Sequence, residues 1–427
     1  MIATICGVSR HAKAGFAAVL LAGGLFGASV AAEPDAAPAD RVEVAVLAEP
    51  SGPIDNWAGM FVAEDGHVYL TAGDHKGEGG NSWAYRFDPR SRTFERVLDV
   101  QWDGRGHYDP LSVGQGKFHA PPVRDGEGTL YLTTAYGGES AGLALPYPGS
   151  LMFALEPRAG ARPKCLGPVF PGEGVFAAVF LQSVHAYAAV TLPSGRCQVH
   201  DVRTRKLLFR SDDPAGPEAR LLARDGRDRV YFHGREGRVL RWNPADGSVA
   251  AVGIDVPSAR ALPPRAGGAW SPKDDLIRVM KPAGPAQDIL IGVTNYGLFF
   301  RHDPATGATA ALGHSLDVEP PAGPYYVADF ALRRDGAMLY YVGGIENEVN
   351  GRHHDNPVIE LDLATGGKRV LCRLNAVLLA RKAGRFLYNY GASLAPDERT
   401  LYLCPDVSGG KVALVSVPLA EPQGGRE

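Results

Sequence analysis

The chain has no tract of clustered lysine and arginine, and its 44 basic and 47 acidic residues give a net charge of -3. Nucleic acid and anionic membrane surfaces are bound through such clusters, so neither is expected as a partner. The sequence also has no CxxC and no Cys/His ligand spacing, so no structural zinc site is expected.

Motifs of the common nucleotide-binding and hydrolytic enzymes are missing as well. The stretch Gly104-Arg105-Gly106 precedes no helical pattern and is interpreted as a turn, not as a phosphate cradle. No segment carries a sustained helical stripe with caps at both ends. Because no helical pattern is present, the chain is expected to fold mainly as β-strands.

What the sequence does contain is a repeated phrase, in which an Asp/Gly turn precedes an apolar-Tyr-apolar step. A second phrase, centred on an acidic or amide residue, closes each unit. Tyrosines of the first phrase are 62, 100, 109 and 62 residues apart, so each of the two long gaps holds a unit without it. The first phrase occurs as Asp65-Gly66 before Val68-Tyr69-Leu70, Gly128 before Leu130-Tyr131-Leu132, Asp225-Gly226 before Val230-Tyr231-Phe232, Asp335-Gly336 before Leu339-Tyr340-Tyr341 and Asp397 before Leu401-Tyr402-Leu403. The second occurs as Phe87-Asp88-Pro89, Leu155-Glu156-Pro157, Val199-His200-Asp201, Trp242-Asn243-Pro244, His302-Asp303-Pro304 and Leu361-Asp362-Leu363.

This repetition predicts an all-β fold, a seven-bladed β-propeller of four-stranded blades occupying residues 41–420 as one domain. The last unit ends after three strands, and residues 41–47 form a strand-like segment before the first unit. We therefore expect the N-terminal strand to join the C-terminal blade and close the ring. Six or eight blades remain alternatives, because the third and fifth units lack the first phrase. The repeated tyrosines are expected to pack between blades.

Residues 1–32 have the layout of a secretory signal peptide, with basic residues, an apolar run and then small residues. The protein is expected to be exported, to the periplasm or beyond the cell, with no membrane insertion after processing. A membrane anchor is the alternative, although the apolar run is short for a span. Residues 33–40 are interpreted as a flexible tether, and residues 421–427 as a disordered tail.

Four cysteines follow the signal segment, in two pairs that share a spacing of 32 residues: Cys165 with Cys197, and Cys372 with Cys404. In an exported protein these pairs can form disulfides. Four buried thiols that pack as small apolar groups are the alternative. The sequence leaves both open.

The site is expected at the mouth of the central channel, where inner strands begin. His119 and Tyr136 are the candidate catalytic residues there. Candidates for binding a substrate at the same rim are Tyr326, Tyr390, Asn389, Arg235, Tyr296, His353 and Arg352. The last two lie in a long loop, residues 345–357, whose histidines and acids suit a divalent cation such as zinc or manganese. A solvated loop explains that composition as well and is favoured; the cofactor stays unassigned.

Two segments, Gly116-Lys117-Phe118-His119-Ala120-Pro121-Pro122-Val123 with the strand after it and residues 325–342, resemble exported seven-bladed propellers of bacteria, among them the propeller polysaccharide lyases. The resemblance implies β-elimination at a uronic acid, which needs a base, an acid and a cation for the carboxylate. His119 matches the first histidine of the lyase pattern. The second has no counterpart here, and Tyr136 is the nearest rim residue; Arg235 and Arg352 are the candidate cations.

Two functions follow as hypotheses. The first is an exported propeller that binds a polysaccharide or oligosaccharide and cleaves uronic-acid linkages. The alternative is a non-catalytic binding or scaffold propeller for an envelope protein.

Overall fold

The computed structural model describes residues 41–48, 52–107, 113–138, 147–212, 214–215, 220–256, 272–315, 326–344, 348–349, 352–353 and 356–420. The chain separates into two units, Met1–Ala32 and Glu33–Glu427, and every described residue belongs to the second. The segments interpreted from sequence as signal peptide, tether and tail lie outside the described residues.

Seven antiparallel sheets make up the fold, and each is one blade of a β-propeller, as the sequence predicts. One short helix, α1 (Val100–Asp103), follows blade 1, and a second, α2 (Leu374–Ala380), follows blade 6. The first strand is β1 (Glu43–Val46); blade 1 then contains β2 (Met60–Val62), β3 (Val68–Gly73), β4 (Ser82–Asp88) and β5 (Thr93–Asp99), and blade 2 contains β6 (Lys117–Phe118), β7 (Val123–Arg124), β8 (Leu130–Ala135), β9 (Gly149–Leu155) and β10 (Lys164–Pro171). Blade 3 contains β11 (Gly174–Leu181), β12 (Ala186–Leu192), β13 (Arg196–Asp201) and β14 (Leu207–Arg210); blade 4 contains β15 (Leu222–Arg224), β16 (Val230–His233), β17 (Val239–Trp242) and β18 (Val249–Val252); and blade 5 contains β19 (Ile277–Ala283), β20 (Ile289–Thr294), β21 (Leu298–His302) and β22 (Thr309–His314). Blade 6 contains β23 (Phe330–Leu332), β24 (Met338–Val342), β27 (Pro357–Asp362) and β28 (Lys368–Arg373), with the hairpin β25 (Glu348–Val349) and β26 (Arg352–His353) between its second and third strands, and blade 7 contains β29 (Phe386–Leu394), β30 (Thr400–Val407) and β31 (Lys411–Pro418).

The ring closes through its first strand. β1 pairs antiparallel with β31, with Glu43 opposite Ser416 and Val46 opposite Ala413, and so becomes the outermost strand of blade 7. The pairing confirms the expected closure by the N-terminal strand.

Hydrogen bonds hold the first repeated phrase together in blades 2 and 4, where Asp125 and Asp225 each accept from two turn N–H groups and from the tyrosine hydroxyl. In blade 2, Oδ1 of Asp125 accepts hydrogen bonds from the backbone N–H groups of Glu127 and Thr129, both at 2.9 Å. The hydroxyl of Tyr131 donates to Oδ2 of the same aspartate over 3.2 Å. An aspartate that satisfies turn N–H groups and the tyrosine hydroxyl at once fixes both the turn and the start of the next strand.

The tyrosines of this phrase pack between neighbouring blades, as expected. Each is buried in an apolar cluster that includes residues of the next blade around the ring. Tyr131, for example, stacks on Phe180 of blade 3 with ring centroids 5.3 Å apart. The others are Tyr69, Tyr231, Tyr340 and Tyr402.

All four described cysteines are free thiols; Cys197, Cys372 and Cys404 are buried, and Cys165 is half-buried. Cys165 and Cys197 pack in different apolar clusters, and so do Cys372 and Cys404. The two cysteines of each pair, although 32 residues apart in both cases, therefore lie in different apolar clusters. Burial raises the pKa of Cys372 to about 12, so this thiol stays protonated.

Candidate functional site

A cavity of about 400 Å³ lies in the central channel. Residues from all seven blades line it, and most belong to inner strands. Its functional side chains are Trp57, His119, Phe176, Arg220, Arg224, Arg278, Lys281, Asp329 and Tyr390. Four of these side chains are basic and one is a carboxylate, which gives the described lining a net positive charge.

His119 is 5% exposed and is engaged at both ring nitrogens. Its Nδ1 lies 3.0 Å from the carbonyl oxygen of Phe176, and its Nε2 lies 2.9 Å from a guanidinium nitrogen of Arg220. Because guanidinium only donates, Nε2 must accept, and Nδ1 carries the proton and donates to the carbonyl. The two contacts assign one neutral tautomer to the ring.

The pKa of His119 is lowered well below its ordinary value of 6.5, chiefly by burial and then by the charges of Arg220, Lys117 and Arg278. The imidazole is therefore neutral at physiological pH. Its only lone pair is occupied by Arg220. In this arrangement the histidine holds the arginine in place.

Aromatic rings form one wall of the channel. Trp57 stacks on Tyr390 with ring centroids 5.2 Å apart, and Tyr390 stacks on Tyr388 at 6.0 Å. Trp57 also contacts the ring of His75, at 4.9 Å. Burial, followed by the charge of Lys117, lowers the pKa of His75 to about 4. His75 has a φ of 54°, a strained value for a residue with a side chain and one often found at functional sites.

Lys117 adds a cation beside this wall. Its ammonium lies 5.3 Å from the ring centre of Trp57, 5.3 Å from that of Phe176 and 5.7 Å from that of Tyr136. The side chain is 7% exposed. Burial, followed by the charge of Arg220, lowers the pKa of Lys117 to about 8.

Two further cations differ in their partners. Lys281 forms an ion pair with Asp329 over 2.6 Å and donates to the carbonyl of Phe330 over 2.6 Å. Arg278 lies over the ring of Tyr326, 5.1 Å from its centre. Asp329, the carboxylate of the lining, is thus paired with Lys281, whereas Arg278 lies on an aromatic ring.

The structure brings some of the sequence-predicted residues together and not others. His119 and Tyr390 line the cavity, and Tyr326 is not a lining residue but lies under the guanidinium of Arg278, which is one. Tyr136 is buried against Phe176 and is not among the residues that line the cavity. Their predicted roles in catalysis and binding stay predictions.

Three further predicted residues, Asn389, Tyr296 and Arg235, are not among the residues that line this cavity. Oδ1 of Asn389 accepts the backbone N–H of Cys404, so it joins two strands of blade 7. Tyr296 packs edge-on against His314 in blade 5. Arg235 begins a short 3-10 turn in blade 4. Arg352 and His353 form β26, but their side chains lie outside what the structure describes, as does most of the 345–357 loop.

Sequence reasoning missed Trp57, Lys117, Arg220 and Arg278. Lys117 had a usable signal, because side chains two residues apart on a strand point to the same side and His119 was already placed at the channel. The other three belong to separate blades and share no motif. Only the closed ring brings them together.

No group of three or more His, Cys, Asp or Glu side chains is arranged for a metal within the part of the chain that the structure describes. Among the same residues, no helix combines the length and apolarity needed to cross a membrane.

A second groove, of about 540 Å³, lies at the outer edge between β5 and the connection from β9 to β10. Its main acid, Asp99, already accepts hydrogen bonds from Trp83 Nε1, Asn81 Nδ2 and the backbone N–H of Trp102. The channel offers the better candidate site because all seven blades contribute to its lining, which carries more cations than carboxylates.

No protein-family model matches the sequence, and no curated protein matches it. Solved structures do match. A chain of the mitotic checkpoint complex aligns with a TM-score of 0.56 and 12% identity over 92% of this chain and 98% of that chain. The WD40 repeats of RRP9 align with a TM-score of 0.53 and 10% identity, over 88% and 100%. A protein from Lactobacillus plantarum aligns with a TM-score of 0.52 and 14% identity, over 83% and 97%.

At such low identity these similarities show the propeller fold alone. They give no support to the resemblance to polysaccharide lyases.

Proposed function

We propose that this protein is a non-catalytic binding propeller whose channel takes up a carboxylate-bearing chain end of a partner protein, in the cell envelope after export. The observation that carries the proposal is the placement of Arg220 and Arg278 in one cavity whose lining has a net positive charge. Arginine forks recognise carboxylates through paired hydrogen bonds.

The fixed position of Arg220 and the volume of the cavity both favour a site that binds one end of a ligand. Arg220 is held by His119 on one side, and its guanidinium lies 5.5 Å from the ring centre of Phe176. An arginine fixed in this way loses little conformational freedom when it binds an anion. A cavity of about 400 Å³ suits one or two residues better than a polymer that passes through.

A protein ligand is favoured over a glycan. The similar structures include a chain of the mitotic checkpoint complex, a protein assembly, and capture of a chain-terminal carboxylate is a known mode of peptide recognition. The stacked rings of Trp57 and Tyr390 offer an apolar wall for the side chain next to the carboxylate.

Calorimetric titration of the purified protein with triglutamate, amidated triglutamine and trigalacturonate tests the proposal. Triglutamate is expected to bind, more weakly as salt is raised, and Arg278→Gln is expected to weaken it about tenfold, which corresponds to about 1.4 kcal/mol. Arg203→Gln is the matched control, because Arg203 is a surface residue paired with Glu127. If trigalacturonate binds as tightly as triglutamate or more tightly, the ligand of the site is an acidic glycan and not a protein. If neither anion binds, the proposal is wrong.

Elimination at a uronic acid stays a hypothesis from the sequence resemblance. It requires a base at the channel, and His119 gives its lone pair to Arg220. A rise in the ultraviolet absorbance of an unsaturated uronate product, lost in His119→Gln with triglutamate affinity retained, would establish the reaction.

A further inference from the structure

We propose that the end of the channel at which the inner strands finish is a second anion site, and that it binds a small soluble molecule bearing two or more phosphate groups. The observation that carries the proposal is the presence of three arginines from three blades, Arg124, Arg224 and Arg334, in the lining of one cavity of about 400 Å³. The proposal does not depend on the carboxylate site described above.

This cavity lies at the opposite end of the inner strands from the first one. Arg124 and Arg224 are the last residues of β7 and β15, and Arg334 follows the end of β23 by two residues. In the first cavity, Trp57 and Arg220 instead precede the inner strands of their blades. Arg224 lines both cavities, so the two share one side chain of their walls.

The sequence repeat explains how arginines from separate blades reach one cavity. In five blades, the residue directly before the aspartate of the first phrase ends or follows the inner strand, and it therefore takes an equivalent place around the axis. Three of these five residues are arginines. All five line the cavity: Glu64, Arg124, Arg224, Arg334 and Pro396.

Two of the arginines keep most of their donors for a ligand. A guanidinium group carries five N–H donors. Nη2 of Arg334 donates to the carbonyl oxygen of Pro396 over 2.9 Å, and no carboxylate among the described residues bonds to this side chain. Nη1 of Arg224 donates to Oδ1 of Asp228 over 3.1 Å. Within the described part of the chain each group thus uses one nitrogen, and the others can donate to an anion.

The third arginine is paired with an acid that a ligand can displace. Nη2 of Arg124 lies 2.8 Å from Glu64, whose side chain is 80% exposed. An ion pair this exposed is worth at most about 1 kcal/mol. Asp125, the other acid of the lining, accepts three hydrogen bonds within its own turn. Glu64 is therefore the acid that competes with a ligand for the arginines.

Phosphate suits this arrangement better than carboxylate. One arginine fork satisfies a planar carboxylate, whereas a phosphate group has three acceptor oxygens and a charge of about -1.5 to -2 near neutral pH. The cavity is larger than one phosphate group needs, and its arginines come from three directions. A ligand with several phosphate groups can contact all three, and Phe61, Val62 and Leu394 give the lining an apolar part for the rest of the molecule.

Calorimetric titration with inorganic tripolyphosphate, inorganic phosphate and tricarballylate, a tricarboxylate, tests the site. We expect tripolyphosphate to bind at least about tenfold more tightly than the other two anions. Arg334→Gln should weaken tripolyphosphate about tenfold and leave triglutamate unchanged, and Arg278→Gln should do the reverse. Loss of triglutamate binding alone would contradict the proposed function and support the independence of this site.

Glu64→Gln provides a test of opposite sign. Removal of the competing acid should tighten tripolyphosphate about threefold, whereas an ion pair that serves only to join blades 1 and 2 would change stability and not affinity. Glu127→Gln is the matched control, because Glu127 forms an exposed pair with Arg203 over 2.9 Å and neither is among the described residues that line the cavity. This variant should leave the affinity unchanged.

Each other outcome has a stated meaning. Unchanged affinity in Arg334→Gln, or the same response in Glu64→Gln and Glu127→Gln, overturns the site. If Arg334→Gln does not fold, the comparison of the two glutamine variants of Glu64 and Glu127 decides alone. Binding of tricarballylate as tight as that of tripolyphosphate overturns the assignment to phosphate. Binding to phosphatidylglycerol vesicles without binding of tripolyphosphate overturns the assignment to a soluble ligand.

Discussion

The guanidinium of Arg220 donates a hydrogen bond to Nε2 of His119 over 2.9 Å, across 101 positions of sequence. This contact joins blade 2 to the segment that enters blade 4, over the ring of Phe176 in blade 3. In this arrangement His119 supports the position of a cation, and its predicted catalytic role stays a prediction.

Replacing His119 with Phe should weaken triglutamate binding about tenfold, because Arg220 loses the acceptor that holds it. Calorimetric titration measures the affinity, and partial recovery in His119→Gln, which retains an acceptor, would identify the hydrogen bond as the cause. His233→Phe is the matched control, since His233 is also buried and bonded at both nitrogens but lies outside the cavity lining. Unchanged affinity in His119→Phe would show that Arg220 does not depend on this contact.

Gly137→Ala should lower the free energy of unfolding by about 2 kcal/mol. A β-carbon at Gly137 would overlap the carbonyl oxygen of Lys76, so the loop between β3 and β4 has to move off blade 2. Chemical denaturation measures the change. Gly106→Ala is the control because its β-carbon meets nothing within 4 Å; equal stability of the two variants would mean that the loop yields freely.

Asp406→Asn should stabilise the protein near neutral pH and less so in acid. Burial, and then the charge of Asp55, raise the pKa of Asp406 well above 3.8, while the backbone N–H of Asn56 donates to its Oδ1 over 2.7 Å. An acid whose pKa is raised by folding contributes stability below its unfolded pKa, and that contribution is lost as pH rises through the folded pKa. Asparagine keeps the acceptor without the charge.

Denaturation midpoints of Asp406→Asn and the unaltered protein at about pH 4 and about pH 7 measure this difference. The gap between the two proteins should widen with pH. Asp288→Asn, a change at an exposed position, should show no such trend. A gap that is constant with pH would mean that Asp406 is ionised in the folded protein.

The fold follows from sequence because its signal is local and repeated. In two of the five phrases the aspartate and the tyrosine bond to each other across six residues, as Asp125 and Tyr131 do, and in all five the tyrosine packs against the next blade. Blades 3 and 5 lack the phrase but were found from the length between their neighbours. Closure by β1 followed from counting strands.

The site was only partly predictable because its contacts are long-range. Arg220 and Arg278 belong to different blades, and nothing near either one in sequence indicates that they face the same cavity. Asn389 was predicted to bind a substrate, yet its side-chain carbonyl accepts a hydrogen bond from the backbone N–H of Cys404. An amide that joins two strands and one that faces a ligand look the same in sequence, since only the register of the hairpin distinguishes them.

The pairing of β1 with β31 sets an order of events during synthesis. The strand that the ribosome makes first has its partner at residues 411–418, almost the last part of the domain to emerge. Contacts that join such distant segments form late, since the intervening chain must first be brought together. The seam of the ring therefore cannot close before residues 411–418 have been made, whatever the order in which the other blades form.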